Sequence, residues 1–115
     1  MEKLQQAISH FIAKRQWQQF HTPKNLAMAL TVETAELLEI FQWMTAEESC
    51  QVDNKTLNHI EEEIGDVMIY LTTLAVSLGI DPLSAARKKL KINAIKYPVE
   101  DEDQEDESGQ CFAKA

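Results

Sequence analysis

LAMALTVETAELLEIFQWM, residues 26–44, decides the fold. Its apolar side chains recur at Leu26, Leu30, Leu37, Ile40 and Met44, the spacing of a helix face turned toward a core. Glu33 fills the one missing place in that seam, and Glu36 lies one turn further along the same face. A second stretch repeats the pattern: TLNHIEEEIGDVMIYLTTLAVSL, residues 56–78, carries Leu57, Ile60, Ile64, Val67, Leu71, Leu74 and Leu78 as a stripe, with Glu63 and Asp66 beside it. A carboxylate taken out of water costs several kcal/mol unless it is paired or binds a metal. Two acidic pairs set against two apolar seams therefore raise the question of a shared cation.

Working outward, the rest of the chain also reads as helix. Residues 4–19 carry Leu4, Ile8, Phe11 and Ile12 on one face. Thr22-Pro23 is an N-cap followed by proline at the first helical position, and it opens the second helix, expected to end near Met44. Residues 45–55 are polar and read as a connection. The third helix is expected over residues 56–78, with Gly79 as its stop. Asp81-Pro82 repeats the cap-plus-proline signature and opens a fourth helix to about residue 95, striped by Leu83, Ala86 and Leu90, with Asn93 and Tyr97 next in register. Only three glycines occur, and no strand-like alternation of any length. The expectation is an all-α, four-helix bundle-like subunit, with residues 1–98 as a single domain and 99–115 as an acidic, disordered tail.

At 115 residues and 44% hydrophobic, the chain can bury a modest core, and a chain of this size gains by oligomerising. The net charge of −8 is concentrated at one end. Residues 100–107 hold seven acidic groups, whereas residues 1–99 hold 12 acidic and 10 basic ones, close to −2. That balance lacks the basic surplus of a nucleic-acid binder. Cys50 and Cys111 form neither a metal-ligand spacing nor a disulfide framework, which suits a reducing cytoplasm. The N-terminus lacks a secretory signal, and no apolar run approaches the ~18 residues of a membrane span.

Side chains three apart on a helix differ by ~60° in direction. Glu33 with Glu36, and Glu63 with Asp66, thus each present two carboxylates to one side. An isolated pair of this kind is common on solvated helix faces and says little. Four that interrupt or abut two core seams are different: with the helices antiparallel they form an oxygen cage suited to a hard cation. Mg²⁺ fits, with Mn²⁺ as the alternative, and substrate phosphates would complete the coordination. Glu39 continues the series as an outer ligand or base. A di-iron bundle would need Glu-x-x-His on two helices, and no glutamate here is followed three residues later by histidine.

The fourth helix carries Arg87, Lys88, Lys89, Lys91 and Lys96. Most of these complement a helix C-terminus and solubilise the surface. Lys89 and Lys96 flank the stripe that ends in Asn93 and Tyr97, and these two are the candidates for phosphate contacts. Asn93 is an amide in a seam position, where a partner or a ligand is expected. Trp17, His21, Trp43 and Tyr70 sit near helix ends or one turn beyond a carboxylate, and a flat ligand could stack there.

The set E33-TA-E36-LL-E39, FQW at 41–43, EEEIGDVMIYL at 61–71 and N93-AIK-Y97-P98 resembles the all-α nucleoside triphosphate pyrophosphohydrolases of the MazG type. RQWQQFHTPKNLAMAL is similar to their short dCTP pyrophosphatase branch. The likeness runs from about Ile8 to Pro98. It implies hydrolysis of a nucleoside triphosphate to the monophosphate and pyrophosphate by attack at the α-phosphorus. It implies Mg²⁺ on Glu33, Glu36, Glu63 and Asp66, and a base pocket of Trp17, His21, Trp43 and Tyr70. Lys89, Asn93, Lys96 and Tyr97 would lie near sugar and phosphates, in a homo-oligomer, a tetramer before a dimer. Glu36 or Glu39 would be the general base. Val32 stands where many relatives carry a further glutamate, and Ile8 where the branch leads one to expect a base-contacting histidine. The implied substrate is dCTP-like, with a broader dNTP range. The rival function classes are a catalytically weak nucleotide-binding module and a structural helical-bundle interaction module.

Overall fold

A computed structural model describes residues 1–99. Among these residues the elements are α1 (Glu2–Lys14), a short 3₁₀ turn (Gln18–Phe20), α2 (Pro23–Phe41), α3 (Ala46–Ser49), α4 (Asn54–Ser77) and α5 (Pro82–Lys96). The four expected helices are present, and the all-α reading holds. The expectations for the tail, and with them those for the Cys50 and Cys111 pair, reach into residues 100–115 and lie outside the described residues.

Local chemistry explains where the boundaries differ from the sequence reading. α1 stops at Lys14, five residues short of the expected end. Gln16 adopts φ 55°, and the Trp17 N–H donates to the Ile12 carbonyl at 3.2 Å while the Gln16 N–H donates to Ala13 at 3.1 Å. This is a left-handed helix stop of the kind glycine usually makes. α4 ends in the same way: Gly79 takes φ 68°, with Ile80 N–H to Ala75 O at 2.8 Å and Gly79 N–H to Val76 O at 3.0 Å. α4 begins two residues earlier than expected because Asp53 caps it, accepting from the Thr56 N–H at 2.7 Å. The polar connection contains one helical turn, α3, closed by a reciprocal Thr45–Glu48 capping box. Thr22 and Asp81 cap α2 and α5 as the sequence signatures indicate.

α2 packs along α4, α1 packs on α4 beside it, and α5 leaves α4 at 91°. The buried side chains are Ile8 and Ile12 from α1, Leu26 from α2, and Ile60, Thr72 and Ala75 from α4. The stripe expected to be buried on α4 is covered only in part. Ile60 is buried, Val67 and Leu74 are half-buried, and Leu57, Ile64, Leu71 and Leu78 are exposed. On α5, Leu83, Leu90, Ile92 and Ile95 are all exposed, Ile95 to 84%. A single chain with α5 swung aside has too few neighbours to cover these faces. No single helix among the described residues is long and apolar enough to cross a membrane.

Candidate active site

The candidate acidic side chains sit where α2 and α4 run past each other. Ile40 and Met44, late in α2 and just beyond it, face Thr56 and His59, early in α4, whereas Glu33 meets Glu63 and Asp66 further along. Rising numbers on one helix meet falling numbers on the other, so the pair is antiparallel and the two acidic pairs are opposed. Glu33, Glu36 and Glu63 each offer an oxygen within 4.8 Å of the other two. Asp66 lies one turn along and acts on Glu33 through its charge.

Packing and like charge set the electrostatics here. Burial, a hydrogen bond with Glu36 and the negative charges of Glu36, Asp66 and Glu63 together raise the Glu33 carboxyl from the ordinary 4.5 to about 7. Glu33 Oε2 and Glu63 Oε2 are buried without a hydrogen-bond partner. An orphaned buried carboxylate oxygen carries the full desolvation penalty. Two of them belong to a cluster of three carboxylates with an oxygen each within 4.8 Å of the others, a donor set that could hold a hard divalent cation.

Two depressions flank the cluster. The first, about 540 Å³, is lined by Glu36, Glu39, Ile40, Met44, Thr56, His59 and Glu63. The second, about 410 Å³, is mainly apolar, with Ile8, Phe11 and Ile12 of α1, Trp17 and His21 of the following turn, and Asp66, Ile69, Tyr70 and Thr73 of α4 among its walls. Asp66 thus borders both the acidic cluster and the apolar pocket. The turn after α1 builds one wall. The left-handed Gln16 delivers Trp17 edge-on to Phe11, with ring centroids 5.7 Å apart and planes at 71°. The Arg15 guanidinium lies 3.6 Å over the Phe11 ring and donates to the Phe11 carbonyl at 3.1 Å, which braces that wall. His21 Nδ1 is buried and unpartnered.

Of the residues singled out from sequence, Glu33, Glu36 and Glu63 come together, Asp66 adjoins them, and Glu39 shares a depression with Glu36 and Glu63. Trp17, His21 and Tyr70 share the apolar pocket. Trp43 is 89% exposed and lines neither depression. Lys89, Asn93, Lys96 and Tyr97 lie on or just beyond α5 and line neither, although Lys96 Nζ stands 5.5 Å over the Tyr97 ring. A single chain therefore leaves that group apart from the carboxylates. Sequence reading missed Phe11, Ile12, Ile69 and Thr73 as pocket walls, and Thr56 and His59 beside the cluster. Helical spacing carried the signal: Thr73 and Ile69 lie about one turn from Tyr70 and Asp66, and His59 is four residues before Glu63.

Comparison with known proteins agrees with this arrangement. The family model for the MazG-like family matches residues 28–110. dCTP pyrophosphatase 1 of Rattus norvegicus is 40% identical over 101 residues, and the Homo sapiens protein of the same name is 38% identical over 101. Each alignment covers 86% of this chain and 59% of the relative, so the chain spans about three fifths of the length of these relatives. A solved structure of a pyrophosphatase from Archaeoglobus fulgidus superposes with a TM-score of 0.82 at 43% identity, covering 86% of this chain and 93% of that one. The opposed acidic helices, the pocket beside them and these likenesses agree: the chain belongs to the MazG-like family.

Proposed function

We propose that this chain is a Mg²⁺-dependent nucleoside triphosphate pyrophosphohydrolase. It converts a deoxynucleoside triphosphate, dCTP-like with a broader dNTP range, to the monophosphate and pyrophosphate. The observation that carries the proposal is the junction at Asp66 of an acidic cluster holding two unpartnered buried oxygens and an apolar aromatic pocket. A triphosphate with a flat base needs both, side by side. The relatives named dCTP pyrophosphatase 1 support the substrate class.

Glu33, Glu36, Glu63 and Asp66 would hold the cation, which supplies neutralisation of phosphate charge and acidification of the attacking water. Mn²⁺ is the alternative ion. Glu36 or Glu39 takes the proton of that water, both lining the depression beside the cluster. Water attacks the α-phosphorus, the bond from that phosphorus to the bridging oxygen breaks, and pyrophosphate leaves. Trp17 and Tyr70 take the base by stacking, worth ~1–3 kcal/mol per contact, and His21 supplies a polar contact at its rim. Ile8, buried beside this pocket, replaces a polar contact with an apolar wall, which favours a broad base range.

Trp43, Lys89, Asn93, Lys96 and Tyr97 reach a substrate from a second copy of the chain, in a homo-oligomer that is a tetramer before a dimer. The apolar faces left exposed on α4 and α5 support this assembly. The working domain is residues 1–98, acting on a cytoplasmic nucleotide pool rather than on nucleic acid or membrane.

A panel of dNTPs and NTPs with Mg²⁺, scored for pyrophosphate against phosphate, tests the reading. Pyrophosphate with dCTP among the best substrates is expected. Release of phosphate would move the cleavage site and refute it, and binding without turnover would favour a nucleotide-binding module.

A further inference from the structure

Glu63 presents its two oxygens to different surroundings. Oε2 is buried without a partner, and Glu63 offers an oxygen within 4.8 Å of oxygens of Glu33 and Glu36. Oε1 lies 3.5 Å from His59 Nε2, one helical turn earlier on α4. The Glu63 side chain is 12% exposed and that of His59 58%, so the imidazole stands at the mouth of the cluster. Both line the 540 Å³ depression with Glu36 and Glu39. His59 takes no part in the function derived above.

Two donors on one ion at ~2.1 Å stand ~3.0 Å apart when adjacent and ~4.2 Å apart when opposite. The spacing between Glu63 Oε1 and His59 Nε2 falls between these limits. The depression leaves room for waters or phosphate oxygens to fill the remaining places. An imidazole nitrogen favours first-row transition ions over Mg²⁺, which prefers oxygen alone.

We propose that His59 Nε2 and Glu63 Oε1 form an outer cation position on the depression side of the carboxylate cluster, one that takes a transition divalent ion in preference to Mg²⁺. Glu63 then bridges the two positions. The proposal rests on the reading of the carboxylate cluster as a metal centre.

The test is pulsed electron paramagnetic resonance of the full chain titrated with Mn²⁺ alone, with direct binding isotherms for Mn²⁺ and Mg²⁺. The wild-type chain is expected to show ¹⁴N coupling of imidazole type. In His59→Gln that coupling disappears, Mn²⁺ still binds through the carboxylates, and outer-position affinity for Mn²⁺ falls roughly tenfold or more while that for Mg²⁺ barely changes. Bound Mn²⁺ without ¹⁴N coupling in the wild type would overturn the proposal and leave His59 as a surface partner of Glu63. Coupling that persists in His59→Gln would place the nitrogen on another residue and overturn it equally. Absence of any bound Mn²⁺ would remove the metal-centre reading itself, a failure separable from the other two.

Discussion

Glu33 carries the most information per atom in this chain. It occupies a leucine position in the α2 seam, one of its oxygens is orphaned, and its carboxyl is raised to about 7 by burial and by its acidic neighbours. Without a cation, a proton is the cheapest way to quiet that charge. Binding Mg²⁺ at pH 7 should therefore release a fraction of a proton per chain, visible as a dependence of the calorimetric enthalpy on buffer ionisation. The same shift sets a pH trend in stability. Between 4.5 and about 7 the unfolded chain has lost the Glu33 proton and the folded chain still holds it. The metal-free fold thus loses stability as pH rises through that window. Melting curves should show the loss in the wild type and a flatter profile in Glu33→Leu. That variant should be as stable as the parent or more so without metal, and inactive with it. Asp66→Ala should keep the helical circular dichroism spectrum and lose turnover by at least a hundredfold, on the magnitudes of electrostatic transition-state terms. Undiminished pyrophosphate release would remove the carboxylates from the mechanism.

Helix ends are set by a few backbone angles. Two stops use the left-handed region, one with the expected glycine at Gly79 and one with Gln16. A Cβ on Gly79 would touch nothing within 4 Å, so Gly79→Ala tests the backbone alone. It should destabilise by about 1–2 kcal/mol, the left-handed penalty of an L residue, read as a lower denaturation midpoint. Gln16→Gly should gain up to about 1 kcal/mol by the reverse argument. Since Gln16 delivers Trp17 to the apolar pocket, that gain should come with a raised KM. Gly79 and the two cap-plus-proline pairs were legible as punctuation because their chemistry is local. Gln16 was not, since glutamine is an ordinary helix residue and only the geometry of the turn reveals its strain. Asp53 was likewise overlooked as a cap within a run of polar residues that any loop could contain.

At the scale of the molecule, a single chain leaves apolar faces of α4 and α5 uncovered. Its main contact is α2 against α4, while α5 turns away and carries exposed Leu90, Ile92 and Ile95. Light scattering after size-exclusion should find a homo-oligomer, with a tetramer expected. Leu90→Asp with Ile95→Asp should shift it to smaller species. Activity should fall in step, because α5 bears Lys89, Asn93 and Lys96, which line neither depression of their own chain. A chain that stays monomeric at working concentration and hydrolyses dNTPs at full rate would refute the assembly.

Sequence by itself determined the helices and the ownership of the acidic cluster, because both rest on spacing along a rigid 3.6-residue repeat. Glu33 in a leucine seam and Glu63-x-x-Asp66 beside another needed no third dimension to be noticed. Tertiary structure decided what meets what. It opposed Glu63 to Glu33 and Glu36, brought α1 across to close an apolar pocket on Tyr70, set His59 against the outer oxygen of Glu63, and swung α5 aside. Those outcomes depend on helix crossing and on the direction of a four-residue turn, which an apolar stripe does not encode. A stripe records that a face will be covered; the packing decides by which neighbour.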